Sequence, residues 1–567
     1  MKSIFKNIVT IIPAEFSRKL KLCMSLSLVN QILDFVSIIL LVPIIISIFN
    51  PGYVLNLPYF NFLNQLKNHS ILILSVVVLF FVAKNYLSVK IIKFQSDYYY
   101  DLSNSLSVNL LQGFLNKDLI DVKTAKNSSL VKDIVFVPNN FVIYVLSPII
   151  LLLSDGLLLV LILIGLLLIN PLAALCLLVI IIILLVTLYL YDSTQLNTIN
   201  KTVEEKYNHN FNHILNAVNG YIEIKTNQLE DFFLNKFRNS NQSLNSVYSE
   251  LNTNRLAKSK HTETMLIVII SCLFLITVYV SNDVNSNVLF VSFLFASTLK
   301  IIPSINRILI GITNLKSNLY TIEILKDSKT SVFKEEKNVE KMPFENKIEL
   351  QNISFQFDYA KPLLSNINLT IKKGEIIGLF GDSGKGKSTL LNIISSLITP
   401  NSGSILCDDR NIDEATKNAF LQNIAYVSQA PFILEGTILE NLVLNGEPID
   451  IEILNHYLTV FDLKETIDLL PNKHESFIGS SSHILSGGQL QRLAIIRALL
   501  KNPKLLLLDE ATNQLDYNLK NNILTQLKSI ANKKGITVIT ISHHKKDLES
   551  FCDTIYELKN AELIPLS

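Results

Sequence analysis

The segment that most constrains the fold is Gly381 to Thr389, which reads GDSGKGKST and fits the pattern GxxxxGKS/T at every position. The apolar run Ile376 to Phe380 before it predicts a buried strand, and the apolar spacing of Thr389 to Ile398 after it predicts a helix. A glycine-rich loop between a strand and a helix can aim backbone N–H groups and the positive end of the helix at an anion. The segment therefore predicts a phosphate-binding loop rather than an ordinary glycine-rich turn.

Every residue of this loop is a candidate contact to a nucleotide. Lys387 is expected to reach the β- and γ-phosphates, and the hydroxyl of Ser388 is expected to bind Mg²⁺. The candidate loop contacts are Gly381, Asp382, Ser383, Gly384, Lys385, Gly386, Lys387, Ser388 and Thr389.

The composition places part of the chain in lipid. Hydrophobic residues make up 49% of the 567 residues, and the mean hydropathy is +0.37, which is more than a soluble protein usually carries. The net charge of +2 and the absence of any nucleic-acid-binding motif give no reason to expect a nucleic acid partner.

Six apolar stretches approach the roughly 20 residues that a helix needs to cross a bilayer. Asn170 and Pro171 are the turn signal that divides the longest apolar run into two of them. The six predicted spans are 22–49, 71–92, 141–169, 171–191, 264–281 and 288–315.

The connecting segments predict the orientation of these spans. Segments 93–140 and 192–263 carry nearly all the Lys and Arg between the spans, whereas 170–171 and 282–287 carry none and 50–70 carries little. Because basic loops favour the cytoplasmic side, we expect both termini to be cytoplasmic. The two long basic segments should extend the membrane helices into the cytosol.

The chain changes character after the last span. Residues 326–345 gain charge and lose the apolar signal, which predicts a transmembrane domain over 1–325, a linker over 326–345 and a soluble domain over 346–567. In the last segment, short β-rich runs alternate with helical stretches, which is typical of an α/β nucleotide-binding domain. These runs are Ile348 to Phe357, Ile376 to Phe380, Ile424 to Val427, Leu505 to Leu508 and Thr537 to Ile541.

Two further motifs lie in the soluble domain. The apolar run Leu505 to Leu508 ends in Asp509 and Glu510, and Leu485 to Gln489 reads LSGGQ. With the phosphate loop, these segments in this order resemble the motifs of ABC-type ATPases over residues 346–567. The resemblance implies a six-span α-helical membrane domain followed by an α/β P-loop ATPase domain of the ABC type. It also implies ATP and Mg²⁺ as cofactors and ATP hydrolysis coupled to transport.

The resemblance assigns expected roles residue by residue. Phe357 matches the aromatic residue that stacks on adenine, with Tyr359 as a nearby substitute, and Glu510 matches the general base. His543 resembles the histidine that contacts the γ-phosphate, and Gln429 resembles the glutamine that senses Mg²⁺ and the membrane domain. The expected metal contacts are Ser388, Gln429 and Asp509, and the expected signature contacts are Ser486, Gly487, Gly488 and Gln489.

Two segments depart from the family pattern. Ser480 stands where exporters usually place an acidic residue, and the D-loop reads Asn513-Gln514-Leu515-Asp516 instead of the usual SALD. Neither change removes a catalytic group. The chain has one phosphate loop and one signature, and in this family the signature closes over nucleotide on the opposite domain. We therefore expect a dimer with a second half-transporter, most simply a homodimer, with a related second chain as the alternative.

Charged residues inside the spans are candidate functional residues, because burying a charge in a bilayer is costly. Two alternatives are open for them. The basic residues can pair with the acids or extend to the membrane surface, or they can line a water-filled pathway suited to an anionic substrate. The candidate pathway residues are Asp34, Lys84, Asp155, Lys300 and Arg307.

The whole chain resembles a half-transporter of the exporter type. These charges, the run Ile302 to Ile308 and a possible short helix at Tyr59 to Lys67 are similar to features of bacterial flippases of lipid-linked oligosaccharides. The resemblance implies a multi-pass protein of the bacterial inner membrane, surrounded by membrane lipids, that moves an amphipathic, anionic, lipid-linked substrate. Exporters of peptides or bacteriocins share the architecture, and a membrane-anchored ATPase regulator is a third possibility.

Overall fold

The chain forms two compact units. Residues 1–117 and 124–333 belong to the first unit, and residues 118–123 and 334–567 belong to the second. The computed structural model describes residues 2–49, 70–124, 127–171, 174–175, 178–179, 205–207, 209–280, 284–329, 342–357, 361–444, 446, 448–479 and 484–566.

The first unit is built from helices, several of them far longer than the average globular helix of about 12 residues. A π-helical segment, Val142–Leu146, connects α5 to α6, and residues 209–219 are also helical. Among the described residues, the helices up to residue 329 include α1 Lys2–Ile11, α2 Ala14–Phe49, α3 Ser70–Leu115, α4 Leu119–Thr124, α5 Asn127–Phe141, α6 Ser147–Ile169, α7 Tyr221–Thr226, α8 Glu230–Val280, α9 Val284–Ser317 and α10 Tyr320–Lys329.

Four segments of the described residues are long and apolar enough to cross a membrane, and they overlap four of the six predicted spans. The predicted span 264–281 falls at the end of α8. The predicted span 171–191 lies largely outside the described residues, as does the short helix at Tyr59 to Lys67. A helical membrane region is therefore confirmed, although the count of six spans is supported only in part. The four segments are Ala14–Ile46, Leu74–Leu115, Asp133–Ile169 and Val288–Ser317.

Apolar contacts hold the helices of the first unit together. One buried cluster joins α2, α6 and α9 and contains Ile38, Leu158 and Phe290. A second joins α1 to α3 and contains Ile8 and Leu102. Each long helix thus packs one face against its neighbours and leaves apolar side chains exposed on another, as expected for helices in lipid.

The described residues of the second unit form three sheets. Its strands are β1 Lys347–Phe355, β2 Leu364–Lys372, β3 Ile376–Phe380, β4 Ser402–Cys407, β5 Arg410–Asn411, β6 Ile424–Val427, β7 Gly436–Thr437, β8 Phe477–Ile478, β9 Leu505–Asp509, β10 Thr537–Ile541, β11 Thr554–Lys559 and β12 Glu562–Leu566. Its helices after residue 345 are α11 Lys387–Ile394, α12 Lys417–Leu421, α13 Ile438–Leu442, α14 Ile451–Val460, α15 Lys464–Asp468, α16 Gly487–Leu500, α17 Tyr517–Lys534 and α18 Lys545–Phe551, with a 3₁₀ turn at Lys473–Glu475.

The central sheet has six strands in the order β12-β11-β3-β10-β9-β6. All neighbours pair in parallel except β12, which is antiparallel to β11. A separate sheet, β2-β1-β4-β5, is antiparallel, and β7 pairs with β8. Because parallel strands all end at the same edge of a sheet, the segments after β3, β6, β9 and β10 are brought together.

The central strands are mostly apolar because both faces of the sheet are covered. Leu507 and Ile539 point into a core shared with α11 and the antiparallel sheet. Leu506 and Val538 point into the opposite core, which includes residues of α16. The strand predictions at Ile376 to Phe380, Ile424 to Val427 and Thr537 to Ile541 are confirmed, whereas the strand expected at Ile348 to Phe357 is Lys347–Phe355.

A short segment far upstream in the chain belongs to the second unit. The backbone N–H of Leu119 donates to the carbonyl of Leu397 (3.4 Å), and Asp118 pairs with Lys417 (3.1 Å). The sequence places residues 93–140 in extensions of the membrane helices, and the structure corrects this for 118–123.

The predicted linker is helical at its beginning, since α10 continues to Lys329. At its other end, Met342 and Phe344 are buried in the core of the second unit. The boundaries 1–325, 326–345 and 346–567 stay a prediction.

A buried ion pair between Lys520 of α17 and Asp547 of α18 should stabilise the second unit. Replacing Lys520 with Met leaves a buried carboxylate without its partner, which costs about 3–5 kcal/mol. We expect a lower melting temperature for Lys520→Met in scanning calorimetry of the purified chain, and recovery in Lys520→Met/Asp547→Leu.

The matched control is Lys528→Met, because Lys528 lies 3.9 Å from Asp553 in a pair that is partly exposed, with side-chain exposures of 33% and 48%. Exposed pairs contribute about 0–1 kcal/mol. Equal melting temperatures for the two single variants would contradict a stabilising role for the buried pair.

Candidate functional site

The candidate site lies at the edge where the parallel strands of the central sheet end. The phosphate loop connects β3 to α11, Asp509 ends β9, and Glu510 follows it. Gln429 and His543 lie two residues beyond the ends of β6 and β10. The structure thus brings together residues that are up to 162 positions apart in the sequence.

The phosphate loop is shaped by its last glycine. Gly386 has a φ of 101° and directly precedes α11, a conformation that favours glycine over other residues. Lys387 is buried, and its Nζ donates to the carbonyls of Gly381 (2.7 Å) and Asp382 (2.8 Å). Burial lowers the pKa of Lys387, while the carboxylates of this region act in the opposite direction. The ammonium is therefore held beside the loop that would surround phosphate groups.

Asp509 and Ser388 form a set of oxygen donors beside the loop. Ser388 Oγ donates to Asp509 Oδ1 (2.9 Å), and the hydroxyl of Tyr426 donates to Asp509 Oδ2 (3.1 Å). Burial raises the pKa of Asp509, and the two hydrogen bonds oppose that shift. Burial and the neighbouring carboxylate raise the pKa of Tyr426. Hydroxyl and carboxylate oxygens suit Mg²⁺, so Ser388 and Asp509 fit the predicted metal.

Glu510 is held by three side chains. His543 Nε2 lies 2.6 Å from Glu510 Oε1, while Gln429 Nε2 (2.8 Å) and Asn513 Nδ2 (2.7 Å) both donate to Oε2. Glu510 has a φ of 53°, a backbone conformation that costs a residue other than glycine about 1–2 kcal/mol. Such strain is found at functional sites, where the surrounding contacts maintain it. The carboxylate is thus placed beside the loop and oriented.

The other expected nucleotide contacts are placed as follows. Phe357 is 43% exposed and packs edge-on against Phe355, with ring centroids 5.0 Å apart. Tyr359, its possible substitute, lies outside the described residues. Gln429 contacts Glu510, so its part in binding Mg²⁺ stays a prediction, as does stacking of adenine on Phe357.

The signature segment forms the start of α16. Ser486 and Gln489 make a capping box, in which Gln489 N donates to Ser486 Oγ (3.3 Å) and Ser486 N donates to Gln489 Oε1 (2.7 Å). A Cβ on Gly487 would lie 2.4 Å from Gln514 Oε1, so a side chain at this position would require the end of the Gln514 side chain to move. Ser480 lies outside the described residues.

The sequence motifs do not include Tyr426, and they give no contact for Asn513. The sequence signal for Tyr426 is a hydroxyl group within an otherwise apolar strand. Asn513 belongs to the D-loop departure, whose contact with Glu510 becomes visible only in the structure.

The five candidate pathway residues form ion pairs with one another. Lys84 and Lys300 both pair with Asp34, the latter at 2.7 Å. Arg307 binds Asp155 through two hydrogen bonds of 2.8 Å, from Nε to Oδ2 and from Nη2 to Oδ1. Asp155 is completely buried. These ion pairs connect helices α2, α3, α6 and α9.

This arrangement agrees with the structural alternative, in which the basic residues pair with the acids. The exposures of the basic side chains nevertheless differ: Lys84 is 5% exposed, Lys300 30% and Arg307 42%. Three cations also share only two carboxylates. A role in a substrate pathway stays a prediction for all five residues, and the partial exposure of the side chains favours it most for Lys300 and Arg307.

The family of the second unit follows from its sequence. Residues 364–513, from β2 through the phosphate loop and the signature to the D-loop, match the ABC transporter family. The chain contains an ABC transporter ATP-binding domain. This match confirms the predicted ABC-type ATPase fold of the second unit and implies that it binds ATP.

Similar curated proteins match a little over a third of this chain. The sophorolipid transporter of Starmerella bombicola is 35% identical over 223 residues, which are 38% of this chain and 17% of that protein. The alpha-hemolysin translocation ATP-binding protein HlyB of Proteus vulgaris is 35% identical over 218 residues, 38% of this chain and 30% of that protein. The match thus spans less than a third of the length of these relatives.

A solved structure resembles nearly the whole chain. A bacterial Atm1-family ABC exporter with ATP bound superimposes with a TM-score of 0.77 over 97% of this chain and 94% of that one, at 18% identity. The chain therefore has an ABC exporter fold, with a helical membrane region before the ABC domain.

Replacement of Lys387 with Ala should weaken ATP binding directly. The buried ammonium is lost, and a hydrogen bond to a charged group contributes about 1.5–3 kcal/mol, which corresponds to about 10- to 150-fold in affinity. Equilibrium binding of a fluorescent ATP analogue measures the effect. The exposed Lys533, at the end of α17, provides the control Lys533→Ala. Unchanged affinity in Lys387→Ala would show that the loop does not hold phosphate.

Proposed function

We propose that the chain is one half of an ATP-driven exporter or flippase of the bacterial inner membrane, with both termini in the cytoplasm. The observation that carries the proposal is the convergence of Lys387, Asp509 and Glu510 at one edge of the ABC domain. The exporter fold and the apolar helices of the first unit support a coupling of this site to transport.

The residues of the site divide the work of ATP hydrolysis. Lys387 and the loop N–H groups would hold the phosphates, and Ser388 and Asp509 would hold Mg²⁺, which supplies charge neutralisation for phosphoryl transfer. Glu510 would accept the proton of the attacking water as general base. His543 holds one oxygen of Glu510 and could also reach the γ-phosphate.

We also propose that this chain pairs with a second half-transporter, most simply a second copy of itself. The chain carries one phosphate loop and one LSGGQ segment. In the family the signature closes over nucleotide on the opposite domain. ATP would close the two ABC domains and open the membrane halves outward, and hydrolysis would reset them.

Glu510→Gln should abolish hydrolysis and preserve ATP binding. The amide keeps the size of the side chain but cannot accept the proton, and general base catalysis contributes about 10²- to 10⁴-fold. Phosphate release and binding of an ATP analogue, measured on the same purified protein, test this. Glu562→Gln, at an exposed position of β12, is the control. Turnover of Glu510→Gln close to that of the unchanged protein would overturn the assignment of the base.

We further propose an amphipathic, anionic, lipid-linked substrate, such as a lipid-linked oligosaccharide. The excess of one cation in the membrane charge network and the partial exposure of Lys300 and Arg307 support this substrate. Similar proteins include a transporter of a sophorolipid and translocators of alpha-hemolysin and leukotoxin. A peptide exporter is therefore the nearest alternative.

Pairs of substitutions can separate substrate binding from structural pairing. Arg307→Ala leaves Asp155 buried without its partner and should lower stability, whereas Arg307→Ala/Asp155→Asn should restore it. If Arg307 also binds an anionic head group, the stable double variant should still transport an anionic glycolipid at least tenfold less well. Reconstituted vesicles with an anionic glycolipid and with a neutral amphiphile provide the measurement.

Lys84 and Lys300 provide the matched comparison, because both pair with Asp34 but only Lys300 is appreciably exposed. Lys300→Met should reduce transport of the anionic lipid more than Lys84→Met does, in protein that is equally folded. Equal transport of both lipids by every stable variant would overturn the anionic substrate. ATPase activity that responds to no transported compound would favour a membrane-anchored regulator.

A further inference from the structure

The carboxylate of Asp509 is held by two hydroxyl groups, one on each oxygen. Ser388 Oγ donates to Oδ1 at 2.9 Å, and Tyr426 Oη donates to Oδ2 at 3.1 Å. Asp509 is 8% exposed, so little water can replace either donor. The orientation of the carboxylate plane is therefore set by the protein.

Strand pairing explains why Tyr426 reaches Asp509. Strands β6 and β9 are parallel neighbours, and Tyr426 lies opposite Leu507. Asp509 is two residues beyond Leu507, so the side chains of all three positions are on the same face of the sheet. The long aromatic side chain of Tyr426 reaches diagonally across to Asp509 on the neighbouring strand. The contact between Tyr426 and Asp509 thus follows from the pairing register of β6 and β9.

The ring and the hydroxyl of Tyr426 have separate environments. The ring packs against the apolar core beneath α11. Residue Tyr426 also lines a cavity of about 330 Å³ bounded by Leu397, Leu444 and Arg497. Replacement by Phe would remove the donor to Asp509 and keep the ring, so the two functions can be tested separately.

We propose that Tyr426 is a positioning residue for the Mg²⁺ site. By holding Oδ2 of Asp509, it keeps Oδ1 turned toward Ser388, the other expected metal contact. Without this hydrogen bond, the carboxylate can rotate and present either oxygen, or neither, to the metal. This inference rests on the proposed function and adds to it a residue that controls affinity for the metal rather than for ATP.

The experiment measures metal binding without turnover. In the Glu510→Gln background with ATP present, binding of Mn²⁺ is followed by electron paramagnetic resonance as a stand-in for Mg²⁺. We expect Tyr426→Phe to bind Mn²⁺ about tenfold more weakly, since one hydrogen bond to a charged group is lost. Affinity for an ATP analogue in the presence of a chelator should not change.

A second measurement uses the active chain. The Mg²⁺ concentration for half-maximal ATP hydrolysis should rise about tenfold in Tyr426→Phe, while the rate at saturating Mg²⁺ stays within about threefold. The matched control is Tyr457→Phe, because Tyr457 is 3% exposed and its hydroxyl accepts a hydrogen bond from Lys534 (2.8 Å) in the same unit. This control should need the same Mg²⁺ concentration for half-maximal ATP hydrolysis as the unchanged protein.

The outcomes separate the possible failures. A normal Mn²⁺ affinity in Tyr426→Phe overturns the inference alone. A loss of ATP affinity in the chelator, or the same shift in Tyr457→Phe, also overturns it, because it shows a general structural effect. If the unchanged protein binds ATP with no dependence on Mg²⁺ and does not hydrolyse it, the proposed function and the inference fail together.

Discussion

The candidate site depends on the parallel hydrogen bonding of β3, β10, β9 and β6. In this register Ile541 lies opposite both Leu379 and Asp509. The strands therefore end together, and the segments that follow them begin at the same edge of the sheet. The register is fixed because the strands are buried on both faces, and a shift by one residue would exchange the side chains of the two cores. Such a shift would also turn Asp509 away from Ser388. The packing of the sheet therefore determines the geometry of the candidate catalytic groups.

The first unit is subject to a different constraint, because the charged residues that form its buried ion pairs lie in helices apolar enough to cross a membrane. An isolated charge is costly there, and each of the two acids has a basic partner on another helix. The two pairs on α9 are one helical turn on either side of Pro303, which interrupts the hydrogen bonding of this helix. Charge pairing thus fixes how α9 lies against α2 and α6 where its backbone is weakest. One basic side chain can pair with an acid and also contact a substrate only if it stays partly exposed. Arg307 meets this condition.

The motifs were predictable because their chemistry is local in the sequence. A strand, a glycine-rich loop and a helix are contiguous at Gly381 to Thr389, and the acids follow an apolar run directly. The contacts of Tyr426 were not predictable, because they require the strand order β9-β6, which no local pattern encodes. The same reason applies to residues 118–123, whose helical pattern does not reveal that they pack with the second unit. For the membrane charges the sequence indicated both possible roles, and the pairing geometry required the structure.

The D-loop departure illustrates how an unusual sequence can keep a site intact. Asn513 and Gln429 donate to the same oxygen of Glu510, so the carboxylate cannot rotate without losing both hydrogen bonds. Gln491 of α16 accepts from the backbone of Gln514 (3.2 Å) and donates to the carbonyl of Gln429 (3.4 Å). The signature helix and Glu510 are therefore connected through two loops. The alanine of the usual SALD segment has no amide to place beside Gly487, and its serine has a shorter reach than Asn513. A movement of α16 would thus act on the orientation of Glu510 through hydrogen bonds that involve residues peculiar to this D-loop.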